Sequence, residues 1–316
     1  SLFQAITNAN ADAATYPDCT AGSGADTITF AANYTITLSS SLPDITTDIT
    51  ITGNGTTSTI IQAAASAGTA TYRIVKINRP GANPLPNATL EYMTLRYGVE
   101  SSGGAINVAS SSLTLNSVTL SDNQVKDIGG AGLNGGAISF NGGTITINNS
   151  TLSNNSVTTS DTTSSVRGSG GAIYAGSGTI TLNNTTVSGN SAIRGGGGVL
   201  SNGATININY STIASNTSNS ADGSTAYTSL DGGGINRITG TINLNSSIVA
   251  GNRKGVSSAA DNDCAGTLSS QDYNLTGSGT GCALAGAHAA ASDLSAAAAG
   301  SDAGILCRAQ FSDVPP

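Results

Sequence analysis

Between Gly103 and Asn252 one arrangement of hydrophobic and polar positions is written five times. The copies start at Gly103, Gly135, Gly170, Gly196 and Gly232, and each runs 21 residues to an Asn, at Asn123, Asn155, Asn190, Asn216 and Asn252. Aligned on the first Gly, the fourth position is aliphatic in every copy: Ile106, Ile138, Ile173, Val199 and Ile235. Paired aliphatics follow, from Leu113 and Leu115 in the first copy to Ile242 and Leu244 in the last, and then Leu120, Leu152, Val187, Ile213 and Val249. Alternation with period two marks strands that bury one face. Connectors of 11, 14, 5 and 15 residues join the copies. A fixed unit with elastic links is the pattern of a solenoid whose insertions leave at one corner. It predicts an all-β right-handed parallel β-helix (β-solenoid) with three short strands per rung. A lone rung buries too little to offset the ordering of its backbone, so stacking is obligatory.

The flanking sequence divides around this block. Residues 1–25 read as an N-terminal cap, in which Leu2, Phe3 and Ile6 fall at helical spacing; a short helix there would cover the open edge of the first rung. Residues 26–102 read as irregular first rungs, with strand patterns at DTITF from Asp26, at Tyr34–Leu38, within Ile45–Gly55, at Thr59–Ile61 and at Tyr72–Asn78. The stretch Ala88–Gly98 aligns with the second half of the repeat, with Glu91 and Gly98 where later copies carry Asn. Residues 103–252 hold the five regular repeats, 253–282 a last rung with a disulfide loop, and 283–316 a tail or cap. A short helix near Ala296–Ala299 is one form the tail can take.

Two polar columns run through the repeats: Asn116, Asn148, Asn183, Asn209 and Asn245, and the terminal Asn123, Asn155, Asn190, Asn216 and Asn252. Stacked at about 4.8 Å, Asn amides can bond from rung to rung, and Asn tolerates the left-handed turn at a corner. These residues are expected to be architectural.

Composition sharpens this picture. With 9% charged residues, 41 Gly and no Trp, the chain is unlike an ordinary globular enzyme, where about a quarter of residues are charged. A net charge of −7 removes the electrostatic case for nucleic acid or an anionic membrane, and no apolar run is long enough to insert in a bilayer. Cys19, Cys264, Cys282 and Cys307 lie outside the repeats without metal-ligand spacing, and read as disulfides of an extracellular or cell-surface protein whose signal peptide has been removed. Cys264 with Cys282 is the favoured pair, a local loop contributing about 3 kcal/mol in the chain-entropy model. Cys19 and Cys307 are left over, with an intermolecular link between them one option.

The Gly-Gly-Ala-Ile opening of the repeat and its aliphatic-x-x-Asn close, as at Leu120–Asn123 and Leu152–Asn155, resemble the GGAI and FxxN repeats of bacterial polymorphic outer-membrane proteins. SLFQAITNANAD followed by GADTITF is similar to the CSLREA-type opening of bacterial surface β-helix proteins. The stretch from Asp263-Cys264 to Gly281-Cys282 resembles their choice-of-anchor Q region. The resemblance implies a β-helical surface or adhesion protein.

Candidate chemistry is sparse. A β-helical lyase or glycoside hydrolase needs carboxylates, or a carboxylate and a base, gathered on one face. Within the repeats the only acid is Asp122, while Asp127, Asp161, Asp222 and Asp231 fall in connectors and Arg167, Arg194 and Arg237 share no column. His288 has no acidic or thiol neighbour, and Asp261 and Asp263 read as a turn before they read as a Ca²⁺ site. Outward threonines form columns, Thr119, Thr151, Thr186 and Thr212, and Thr114, Thr146 and Thr181, which suit an ice- or surface-binding array but break at Ile248 and at Asn207. The expectation is a non-enzymatic structural or adhesive rod without cofactor. Its partners would be copies of itself joined head to tail or surface glycans, with a carbohydrate-active enzyme as the rival reading.

Overall fold

The computed structural model describes residues 1–78, 81, 85–126, 132–159, 168–218, 232–255, 260–277, 282–285 and 294–295. It begins with α1 (Leu2–Ala11). Ser1 caps the helix by accepting from the Gln4 backbone N–H at 3.3 Å, and its own ammonium donates to Gln4 Oε1 at 2.7 Å, a reciprocal box that satisfies two otherwise orphaned donors. Asp12 ends the helix in the left-handed region. Leu2 and Ile6 are buried as expected, but Phe3 faces solvent. Two asparagines fasten the cap. Asn8 Nδ2 donates to the carbonyls of Tyr16, Cys19 and Thr20, and the Asn10 amide bridges the Asp44 carbonyl and the Thr46 N–H.

The irregular rungs follow as β1 (Asp26–Thr29), β2 (Tyr34–Thr37), β3 (Ile49–Thr52), β4 (Thr59–Gln62), β5 (Val75–Asn78), β6 (Asn87–Arg96) and β7 (Val99–Glu100). All pair in parallel with the rung above: β1 with β3, β2 with β4, and both β3 and β4 with β6. Next, β8 (Ile106–Ser121) receives β5 and β6 on one edge and hands on to Ile138–Asn148 and Thr151–Ser153 on the other. Each later repeat consists of one long strand bent near its middle, a three-residue strand and a two-residue strand, as in Ile138–Asn148, Thr151–Ser153 and Ser156–Val157. The chain is a right-handed parallel β-helix.

Register is held residue for residue. Ile106, Ile138, Ile173, Val199 and Ile235 stack in one column, followed by Cys264, and Glu91 pairs with Asn116 as its sequence position implied. All the aligned aliphatics of the five copies are buried in one continuous core, with Phe140 its largest side chain. Val125, Leu133 and Val157, all in the connectors, form a small separate cluster.

The paired glycines serve two different purposes. Gly135 lies at φ +70°, in the region where a β-carbon is strained. At Gly136 an added Cβ would meet the Gly171 carbonyl of the next rung and the Ser156 backbone, so its role is close backbone approach. Past Cys282 stacking continues: Cys282–Ala285 pairs with Gly266–Ser269, and Leu294–Ser295 with Leu275–Thr276. The expected helix near Ala296–Ala299 and the rest of the tail lie outside the described residues. No helix among the described residues is long and apolar enough to cross a membrane.

Gly136→Ala is expected to destabilise the fold by about 1–3 kcal/mol through overpacking. Ile147→Ala should cost about 2–5 kcal/mol through the cavity it leaves. Chemical denaturation of each variant, followed by circular dichroism, checks both values.

Candidate functional site

The two Asn columns form hydrogen-bonded ladders, and they differ in burial and direction. In the inner ladder Asn123, Asn155, Asn190, Asn216 and Asn252 are fully buried. The backbone N–H and the Nδ2 of Asn155 both donate to Oδ1 of Asn190 at 2.9 Å, while the second Nδ2 proton reaches back to the Leu120 carbonyl at 3.0 Å. The same set recurs at Asn123, Asn190 and Asn216. Every amide group is thus satisfied in an interior where an orphaned one would cost about 1–3 kcal/mol. The ladder opens at Gly98, whose backbone N–H donates to Asn123 Oδ1 at 2.9 Å. It closes at Asp263, whose Oδ1 accepts from the N–H and Nδ2 of Asn252, both at 2.8 Å. Asp263, read from sequence as part of a turn, is a buried end-stop for the inner ladder; the turn expectation is corrected here because its carboxylate is drawn to the last two donors.

The outer ladder is half-buried and runs the other way. Asn209 donates to Asn183, Asn183 to Asn148, and Asn148 to Asn116, each from Nδ2 to Oδ1 at 2.9 Å. Asn116 Nδ2 donates to Glu91 Oε1 at 2.8 Å. Both ladders therefore finish, at their acceptor ends, on a carboxylate. One departure from expectation is Asn245: it is in register with Asn209, yet its Oδ1 accepts from Ser246 Oγ at 3.2 Å and no ladder bond joins it to Asn209.

A third column was not recognised from sequence. Ser150, Thr185, Ser211 and Ser247 stand fifteen residues after their first Gly, and all are buried. Ser211 Oγ accepts from the Thr185 N–H at 3.0 Å and donates to the Asn209 carbonyl at 2.7 Å; Ser247 repeats the motif one rung on. The spacing of this column is regular, but hydroxyls are common at outward strand positions, so spacing alone does not mark these as buried.

Cys264 and Cys282 are disulfide-bonded across adjacent rungs, with Cα atoms 4.8 Å apart. Cys19 has no disulfide partner among the described residues, and Cys307 lies outside them. The threonines Thr119, Thr151, Thr186 and Thr212 stack in register up to the exposed Ile248, and Thr114, Thr146 and Thr181 up to Asn207 and Asn243.

Titratable groups are dispersed. Among the described residues no group of three or more His, Cys, Asp or Glu is placed to hold a metal ion. His288, Arg167, Asp127, Asp161, Asp222 and Asp231 lie outside them. Asp122 and Lys126 line one shallow groove of about 370 Å³ with Gln124 and Asn154, and Lys126 Nζ donates there to the Gly68 carbonyl at 2.8 Å. Arg73 sits between strands, 3.5 Å from Glu100; burial pulls its guanidinium below the ordinary value, against the raising influence of Glu100. A second groove, of about 360 Å³, is lined by Thr181, Asn207, Asn209, Asn243, Asn245 and Gln271.

Asn155→Ala is expected to lower stability by about 3 kcal/mol or more, because two donors of Asn123 lose their acceptor in the core. Asn148→Ala, on the half-buried ladder, should cost about 1 kcal/mol or less. Paired denaturant titrations distinguish the two ladders. Reducing the Cys264–Cys282 bond should remove about 3 kcal/mol, read as a lowered Tm in the presence of reductant.

Comparison of the chain with protein-family models, with curated proteins and with solved structures finds no match, so a functional reading rests on the residues described above.

Proposed function

We propose that the chain is a non-enzymatic extracellular or surface-displayed rod with a structural or adhesive role. The observation that carries the reading is the use made of its polar side chains. The two recurrent Asn columns and the buried Ser and Thr column bond to adjacent rungs, and the two acids that meet the ladders, Glu91 and Asp263, serve as their ends. A chain that commits its repeated polar residues to axial cohesion is built for length and stiffness.

The N-terminal end supports a more specific form, in which copies join end to end. β1 pairs only with β3 and β2 only with β4, so the opposite edge of each carries no strand among the described residues. Beside those edges Leu2, Ala5, Ile28, Phe30, Tyr34 and Ile36 line a largely apolar hollow of about 250 Å³ that α1 leaves uncovered. An unpaired edge next to apolar surface is a template for another strand. Two unlike ends meeting head to tail generate an open filament rather than a closed ring. Light scattering and electron microscopy of the full chain at high concentration test this: wild type is expected to form extended particles, and Ile36→Lys to remain monomeric with an unchanged Tm. Wild type that stays monomeric at millimolar concentration ends the filament form.

The rival reading, a carbohydrate-active enzyme, is favoured by one observation, the shared groove of Asp122 and Lys126. Assay on pectin, alginate and glucan, with and without Ca²⁺, is expected to give no product. Turnover abolished by Asp122→Asn would replace the structural reading with this one.

A further inference from the structure

The corner column that follows the outer ladder holds a pattern the solenoid does not need. Its residues all lie in the left-handed region: Tyr92, Ser117, Asn149, Asn184, Tyr210, Ser246 and Tyr273, with φ between 48° and 56°. Ser and Asn suit such corners because their short side chains bond locally. A bulky aromatic there is an outlier that carries strain. Tyr210 and Tyr273 nevertheless occupy the column, at 66% and 74% exposure, so neither gains burial in exchange. Only Ser246 stands between them, a small side chain that leaves the space above it open. Two rungs separate the two positions along the axis, about 10 Å.

Beside this corner lies the amide-lined groove. The outer ladder breaks at this point, between Asn209 and Asn245, and the groove gathers the groups the break leaves over. Oδ1 of Asn209, Nδ2 of Asn245 and the Gln271 side chain have no hydrogen-bond partner among the described residues. In the next column Asn243 donates to Asn207 at 2.8 Å, which leaves Nδ2 of Asn207 and Oδ1 of Asn243 similarly disengaged. No charged side chain lines the groove. The site therefore offers amide donors and acceptors in rows along the axis, and the corner column that follows Asn209 and Asn245 carries two exposed tyrosines.

We propose that this face binds a neutral, extended, β-linked polysaccharide lying along the axis of the rod. The C–H face of a sugar ring stacks on an aromatic ring, and Tyr is effective in this role because it presents a rigid amphipathic surface at low entropic cost. A spacing of about 10 Å places Tyr210 and Tyr273 under alternate rings of an extended chain, whose equatorial hydroxyls meet the amides of Asn209, Asn245 and Gln271. An acidic polysaccharide is disfavoured, since no cation in the groove matches its carboxylates. This deepens the adhesive reading and rests on the chain being non-enzymatic, because the ligand is held and not cleaved.

The test is co-sedimentation of the full chain with insoluble cellulose and chitin, with soluble pectin as competitor and with reducing ends measured in the same tubes. Wild type is expected to sediment with at least one of the two solids, to resist pectin, and to generate no reducing ends. Tyr210→Asn and Tyr273→Asn, which install the residue type found at Asn149 and Asn184, should each weaken binding about tenfold while keeping or raising Tm. Tyr92→Asn, in the same corner column but four rungs before Tyr210, should bind as wild type does. Failure of wild type to sediment with either solid, or full retention by the Tyr210→Asn, Tyr273→Asn double variant, overturns the proposal and leaves the structural reading standing. New reducing ends overturn the non-enzymatic reading itself.

Discussion

A buried primary amide has two protons to donate and an oxygen with two lone pairs to satisfy, and it can rest in an apolar interior only where all of these find partners. In this chain Asn155, Asn190 and Asn216 each partner the same residue type one rung away in both directions along the axis, with Gly98 beyond Asn123 and Asp263 beyond Asn252. That requirement fixes far more than the side chains involved. The rungs must stack in strict register, the corner before each Asn must present the amide inward, and the glycine that faces it must let two backbones approach. Connector length varies from 5 to 15 residues between copies, while the spacing inside the unit stays fixed.

The outer ladder, formed by the same residue type, shows how strongly burial sets the consequences. Half-exposed amides can exchange with water, so the ladder tolerates a break between Asn209 and Asn245 that the inner one could not. The two ladders also point in opposite directions, each toward a carboxylate. An anion is the strongest acceptor available to the last amide in a polarised series, and in a low-dielectric interior the gain is larger. Glu91 and Asp263 each stand at the end toward which their ladder donates.

Much of this was legible in the sequence. Periodicity alone gave the solenoid, the boundaries of the rungs and both Asn columns, because a fold that repeats in space must repeat in its residues. The substitution of Asn by Glu91 and by Gly98 in the irregular rung was visible as a departure, and each proves to be a ladder end. What stayed hidden has physical causes. Hydrogen-bond direction has no sequence signature, so neither the ladder polarity nor the break at Asn245 could be read. Asp263 was misread because Asp, Asn and Asp in succession usually form a turn, and nothing local reveals that one carboxylate lies under Asn252. The hydroxyl column at Ser150 and its successors was lost among many outward threonines and serines. The tyrosine corner became apparent only with backbone angles, since Tyr210 and Tyr273 look like ordinary surface residues until their φ values are known.

The elastic connectors and the self-satisfying ladder together make the length of this molecule a separable property. Duplicating one unit together with the connector that follows it would insert a rung whose donors and acceptors fit those on either side, while Gly98 and Asp263 would remain where the inner ladder starts and stops. Deleting a unit would do the reverse. Such a gene can adjust reach in steps of about 4.8 Å, as a ruler gains or loses a division, without redesigning either end.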